Sequence, residues 1–244
     1  MSTYVITGAG SGIGRLVAER LHARGDALIV LARSARRAAE LIAAFPGSAA
    51  VVADLADPSA LAAAIDEADL PAEIDGIVHA AGIVELGAVA DLPRDAWTSQ
   101  LTVNLVAPAE LTRLLLPRVR AARGHVLFVN SGAGLNAHPG WAAYAASKHG
   151  LKALADALRG EEGPHGVRVT TVYPGRTATP MQEKVHEQEG AAYDADRWID
   201  PASVATAIMT ARSMRACGSR PTSSPSARSW AAASRLPRSA VAPT

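Results

Sequence analysis

Short runs of β-branched and aliphatic residues recur along this chain with amphipathic stretches of helical period between them. That alternation restricts the fold more than any other feature. YVIT (4–7), ALIVL (27–31), AAVVA (49–53), IDGIVHA (74–80), HVLFVN (125–130) and VRVTTVY (167–173) each read as a strand. Helical patterns lie between them at 13–24, 34–44, 58–68, about 94–122 and 141–160. Near-continuous apolar strands linked by helices predict a parallel sheet covered on both faces. Right-handed crossovers then give an α/β fold, a doubly wound parallel sheet with ligands at the C-terminal ends of its strands. Apolar residues make up 49% of the chain and aromatics 4%, so Ala, Val, Leu and Ile must build the core. Helices packed on a buried sheet suit that supply better than a sandwich of aromatic pairs. One domain over residues 1–212 is predicted.

The first strand runs directly into glycines, in TYVITGAGSGIGR (3–15), and a helical pattern follows at once. A strand, a glycine-rich turn and a helix N-terminus form an anion site, because backbone N–H groups and the helix dipole favour a pyrophosphate. Gly8, Ser11, Gly12, Ile13 and Gly14 are the candidate contacts. A flexible turn is the competing reading of glycines alone, and the flanking strand and helix argue against it.

Composition excludes several function classes. A formal charge of +1 gives no case for nucleic acid. The single Cys217 cannot form an internal disulfide, and no signal peptide or membrane-length apolar run is visible. The expectation is a cytoplasmic protein with no membrane partner and no metal, since His165, His186 and Glu187 lack metal-ligand spacing.

The glycine spacing, Thr7-Gly8-x3-Gly12-x-Gly14, resembles that of the short-chain dehydrogenase/reductase family, whose fold is Rossmann-like and whose members bind NAD or NADP. Further motifs follow in the family's order over residues 3–210. Asp54-Leu55 follows the third strand, where the family holds the adenine ring. HAAG (79–82) stands where NNAG is usual and keeps Ala81-Gly82. Asn104, Ser131, Tyr144 and Lys148 match the catalytic set. Pro174-Gly175 with Thr177 and Thr179 matches the loop around the nicotinamide amide. The resemblance implies that Tyr144 exchanges a proton with the substrate oxygen while Ser131 stabilises charge on that oxygen. Lys148 would hold the nicotinamide ribose and lower the Tyr144 pKa, and Asn104 would anchor a water linking Lys148 to solvent. Tyr144 and Lys148 share a helix face at i and i+4. Taken singly, the pair could be an exposed helix contact and Ser131 a turn cap.

Ala32 and Arg33 follow strand two, where an acidic residue would select NAD. A guanidinium there favours a 2′-phosphate, so the expected cofactor is NADP rather than NAD. Arg33 as a plain surface charge is the alternative, and Arg36 and Arg37 read as solvated helix charges. His79 is expected in a local hydrogen-bonding role. Trp141, His138 and Asn136 are candidates to line the substrate site. Residues 176–200 are expected to form a polar lid with one helical piece, in which Met181 and Tyr193 supply apolar contact.

The last 32 residues break the pattern: Ser213–Thr244 holds eight Ser, five Arg and four Pro with no Asp or Glu. This basic tail shows no periodicity and reads as coil or as an out-of-frame end, since Ser, Arg, Pro and Ala dominate GC-rich DNA in a wrong frame. The predicted function is NADP(H)-dependent hydride transfer between a small ketone or aldehyde and its alcohol, by a homodimer built on the long helices. A non-catalytic dinucleotide sensor, or an enzyme impaired by its altered C-terminus, are the rival readings.

Overall fold

A computed structural model of the protein describes residues 1–213. The elements are β1 (Thr3–Thr7), α1 (Gly12–Ala23), β2 (Ala27–Ala32), α2 (Ala35–Ala44), β3 (Ala49–Val52), α3 (Leu61–Glu67) and β4 (Gly76–His79). They continue with α4 (Arg94–Leu101), α5 (Ala107–Ala121), β5 (His125–Val129), α6 (Ala142–Glu162), β6 (Arg168–Val172), α7 (Pro180–Glu189) and α8 (Pro201–Ser213). The six strands form one parallel sheet in the order β3-β2-β1-β4-β5-β6. The order reverses between β1 and β4, and a crevice for a ligand opens at such a switch point. Among the described residues no helix is long and apolar enough to cross a membrane.

Successive strand residues point to opposite faces and fill two separate cores. Val5, Ile29, Leu31, Ile77, Val126 and Phe128 pack with Leu111 and Leu115 of α5 and Leu151 and Ala155 of α6. Tyr4, Ile6, Leu28, Val30, Val78 and Leu127 pack with Val17 and Leu21 of α1, Leu41 of α2 and Ile208 of α8. Both faces are covered, as continuous apolar strands require.

Two elements differ from the sequence reading. The stretch 94–122 is not one uniform helix: α4 and α5 are joined by a π-helical segment, Thr102–Val106. Asn104 sits in that segment with its side chain turned inward. Residues 201–213 form α8, which weak amphipathicity concealed: its apolar face is Val204, Ala205 and Ile208, and small residues dominate the rest. The reading of the tail lies outside the described residues, apart from Ser213 at the end of α8.

Candidate active site

The glycine loop leaves β1 with Gly8 at φ +74°, a backbone conformation that only glycine adopts readily. A Cβ there would lie 2.7 Å from the backbone of Ala80 and Ala81. The close approach is therefore first between two strand ends of the protein itself. Thr7 completes that joint, its Oγ1 accepting from the Ala80 and Ala81 amides at 3.1 Å each. Gly12, at φ +54°, turns the chain into α1. Ser11 caps the helix in extended geometry without committing its side chain.

A cavity of about 670 Å³ opens over this loop at the C-terminal edge of the sheet. Gly8, Ser11, Gly12, Ile13 and Gly14 line its floor, and Ala81 and Gly82 come from the end of β4. Ser131, Tyr144 and Lys148 enter from beyond β5 and from α6. Pro174, Gly175, Thr177 and Thr179 close it from the segment after β6. That volume lies in the range of small-molecule sites. The donors suit a dinucleotide: amides at the α1 N-terminus, the uncommitted Ser11 hydroxyl, and a Lys148 ammonium that, among the described residues, donates to the Val129 carbonyl at 3.3 Å.

Tyr144 is buried, and burial pushes its phenol above the usual value, with a hydrogen bond from Ser131 opposing. Burial is thus the larger influence on Tyr144 within the protein, and the phenol is protonated. Burial pulls Lys148 down to about 8. Its Nζ lies 5.8 Å from the Tyr144 ring centroid.

Asn104 is turned into the structure. Its Oδ1 accepts from the Ile83 amide at 2.9 Å, and its Nδ2 donates to the Ile83 carbonyl at 2.9 Å and to Ser147 Oγ at 3.0 Å. The side chain thus staples the loop after β4 to α6. Asn130, which sequence reasoning passed over, does similar work. Its Nδ2 donates to the Lys148 carbonyl at 3.0 Å, and its Oδ1 accepts from the Ser131 amide at 2.8 Å. A polar residue ending a buried strand directly before Ser131 was the available signal.

Three expected cofactor contacts stand outside the cavity lining. Arg33 is exposed just after β2 and makes no hydrogen bond or ion pair among the described residues. Asp54 and Leu55 follow β3, where the Asp54 carboxylate accepts from the Ala56 amide at 2.9 Å and Leu55 packs on the core. Arg37, read as a solvated charge, instead donates to the Gly10 carbonyl at 2.8 Å and so touches the glycine loop.

The other candidates also sort themselves. His79 stacks on Phe128 with centroids 4.9 Å apart and meets Thr112 Oγ1 at 2.9 Å, in the local role expected. Trp141, His138 and Met181 line the cavity, whereas Asn136 does not. Tyr193 packs on His186, with centroids 5.3 Å apart, rather than on the cavity. The lid is pinned at its base by a parallel bridge between Thr177 and Ile199. The sequence reading missed Arg176, Gln182, Val84 and Val185 as lining residues.

Known proteins place the chain. Residues 2–190 match the model of the short chain dehydrogenases. The oxidoreductase UcpA of Escherichia coli K12 is 34% identical over 219 residues, covering 87% of this chain and 81% of UcpA. Dehydrogenase/reductase SDR family member 7B of Bos taurus is 36% identical over 204 residues, which are 79% of this chain. The match spans only 63% of that bovine protein's length. Among solved structures, a short-chain dehydrogenase from Streptomyces avermitilis superposes with a TM-score of 0.76 at 29% identity, over 88% of this chain and 84% of the other. With the fold, the glycine loop and the matched length in agreement, this chain belongs to the short-chain dehydrogenase family of NAD(P)-dependent oxidoreductases.

Proposed function

We propose that residues 1–212 form the catalytic domain of an NADP(H)-dependent enzyme that interconverts a small ketone or aldehyde and its alcohol, with Tyr144 as acid and base. The observation that carries this reading is the convergence of Ser131, Tyr144 and Lys148 on one cavity floored by the glycine loop. The cofactor, when bound, supplies or accepts the hydride. Ser11, Gly12 and Ile13 would hold its pyrophosphate, Lys148 its nicotinamide ribose, and Thr177 and Thr179 its amide. Arg33, with no hydrogen bond or ion pair among the described residues, would meet the 2′-phosphate, and no acidic residue stands at that position to repel it.

Tyr144 is protonated within the protein, so its O–H can donate to a substrate carbonyl oxygen in reduction and the phenolate can take the proton back in oxidation. Ser131, fixed through Asn130, hydrogen-bonds that same oxygen as charge develops on it. Lys148 lies close enough to favour the phenolate after the proton has left. Asn104 acts by position, holding the β4 loop against α6. The long helices α4, α5 and α6 are the surfaces through which a homodimer would form, and a monomeric mass by light scattering would refute that assembly.

NADPH oxidation against a panel of small ketones and aldehydes tests the reading. Turnover is expected on at least one, with Tyr144→Phe slowing it by about 10²–10⁴-fold while cofactor still binds. Equal turnover by Tyr144→Phe overturns the mechanism. Cofactor binding without turnover on any compound points to a sensor.

A further inference from the structure

The substrate end of the cavity carries an arginine that the proposed chemistry does not use. Arg176 is the first residue after Pro174-Gly175 and lines the cavity. Its guanidinium carbon lies 5.5 Å from the Trp141 ring centroid and 5.3 Å from that of Trp198. Its two terminal nitrogens donate to both oxygens of Glu189, at 2.7 and 2.5 Å. Glu189 is the last residue of the lid helix α7, so the pair also ties the lid to the loop after β6. Close to two indoles and answered by a bidentate carboxylate, Arg176 has its charge matched and its fork occupied.

The surroundings are apolar. Trp141 meets the Tyr144 ring edge-on, with centroids 5.9 Å apart, and Val84 and Val185 pack against the same tyrosine. Among the described lining residues, Arg176 and Lys148 are the only Lys or Arg side chains, and Lys148 is the one proposed to hold the nicotinamide ribose. A substrate carboxylate could find a counter-charge at this end only by displacing Glu189. That exchange forfeits a half-buried, charge-assisted pair for another of the same kind and strands the displaced carboxylate.

We propose that Glu189 is a specificity-determining residue: by holding Arg176 it keeps the substrate end neutral, so the enzyme selects uncharged carbonyl compounds with an apolar flank over anionic ones. This inference rests on the carbonyl-reductase reading given above. It makes Arg176 a cation in reserve, one carboxylate away from an acid-binding site.

Methyl 4-acetylbenzoate and 4-acetylbenzoate share a skeleton and differ by one charge, and Arg176 stands one indole ring from Tyr144. The full chain should turn over the ester with kcat/KM at least about tenfold above the acid. Glu189→Gln should shift that ratio about tenfold towards the acid, chiefly through KM, because a freed guanidinium is worth about one charge-assisted hydrogen bond. Arg176→Met and the double variant should keep the preference for the ester. An unchanged ratio in Glu189→Gln overturns the proposal, as does a gain for the acid in Arg176→Met. Calorimetric titration of both proteins with 4-acetylbenzoate separates the two ideas, since it needs no turnover. Tighter binding by Glu189→Gln supports the clamp even if the wild type reduces neither compound, since the catalytic reading stands or falls on the wider panel of ketones and aldehydes. Equal binding overturns the clamp whatever the turnover.

Discussion

At the scale of residues, two arginines at the junction of β2 and α2 have opposite situations, and that difference makes a prediction. Arg33 is exposed and makes no hydrogen bond or ion pair among the described residues, whereas Arg37 is bound to the Gly10 carbonyl and to Glu40. Arg33→Ala should weaken NADPH binding about tenfold and leave NADH nearly unchanged, because only a 2′-phosphate engages it. Arg37→Ala should weaken both cofactors alike, since it loosens the loop rather than a ligand contact. Fluorescence titration with the two cofactors reads both effects, and parallel losses in Arg33→Ala would remove the case for NADP. Arg33 was legible because its register after β2 is a matter of counting. The Arg37 contact was not, because it joins residues 27 apart in sequence.

Among the elements, the π-helical segment between α4 and α5 matters most for the site. One extra residue in the turn is what points Asn104 at the loop after β4. Asn104→Ala removes three hydrogen bonds and leaves the Ile83 amide and carbonyl unpartnered by that side chain. A loss of about 2 kcal/mol in folding stability is expected, together with weaker cofactor binding, because the same loop carries Ala81 and Gly82 into the cavity. Chemical denaturation beside a cofactor titration measures both. A variant as stable as the wild type would show that the staple is dispensable. Nothing in LTVNLVAP announced the π geometry, since helical periodicity tolerates one inserted residue without a change in composition.

For the whole molecule, two histidines buried in the sheet set how stability varies with pH. Burial lowers His79 to about 3. Burial, then Arg168 and Arg212, lowers His125 to about 4. Both are neutral when folded, whereas an unfolded histidine with a pKa of about 6.5 takes up a proton below that value. The unfolded chain therefore binds more protons as pH falls. Stability present above pH 6.5 is lost progressively down to about pH 4 for His125 and about pH 3 for His79. At pH 5 each should cost on the order of 2 kcal/mol relative to pH 7. Urea midpoints at the two pH values check this, and His79→Asn should flatten the slope by roughly half. A midpoint that does not move between pH 7 and pH 5 would contradict the neutral burial of both rings.

The sheet, its parallel sense and its glycine loop were readable from the chain because they rest on local pattern: apolar runs of strand length, helical spacing, and glycines between them. Ser131, Tyr144 and Lys148 were readable because they occupy one strand end and one helix face, which periodicity places. Other features come from packing between segments distant in sequence. The fold seats Gly8 against the end of β4, turns Asn104 inward and sets Tyr193 on His186 instead of the cavity. It also brings Arg176, Trp141 and Glu189 together from three separate elements. The burial that raises the Tyr144 pKa is likewise a property of the closed core, and no spacing of residues along a chain encodes it.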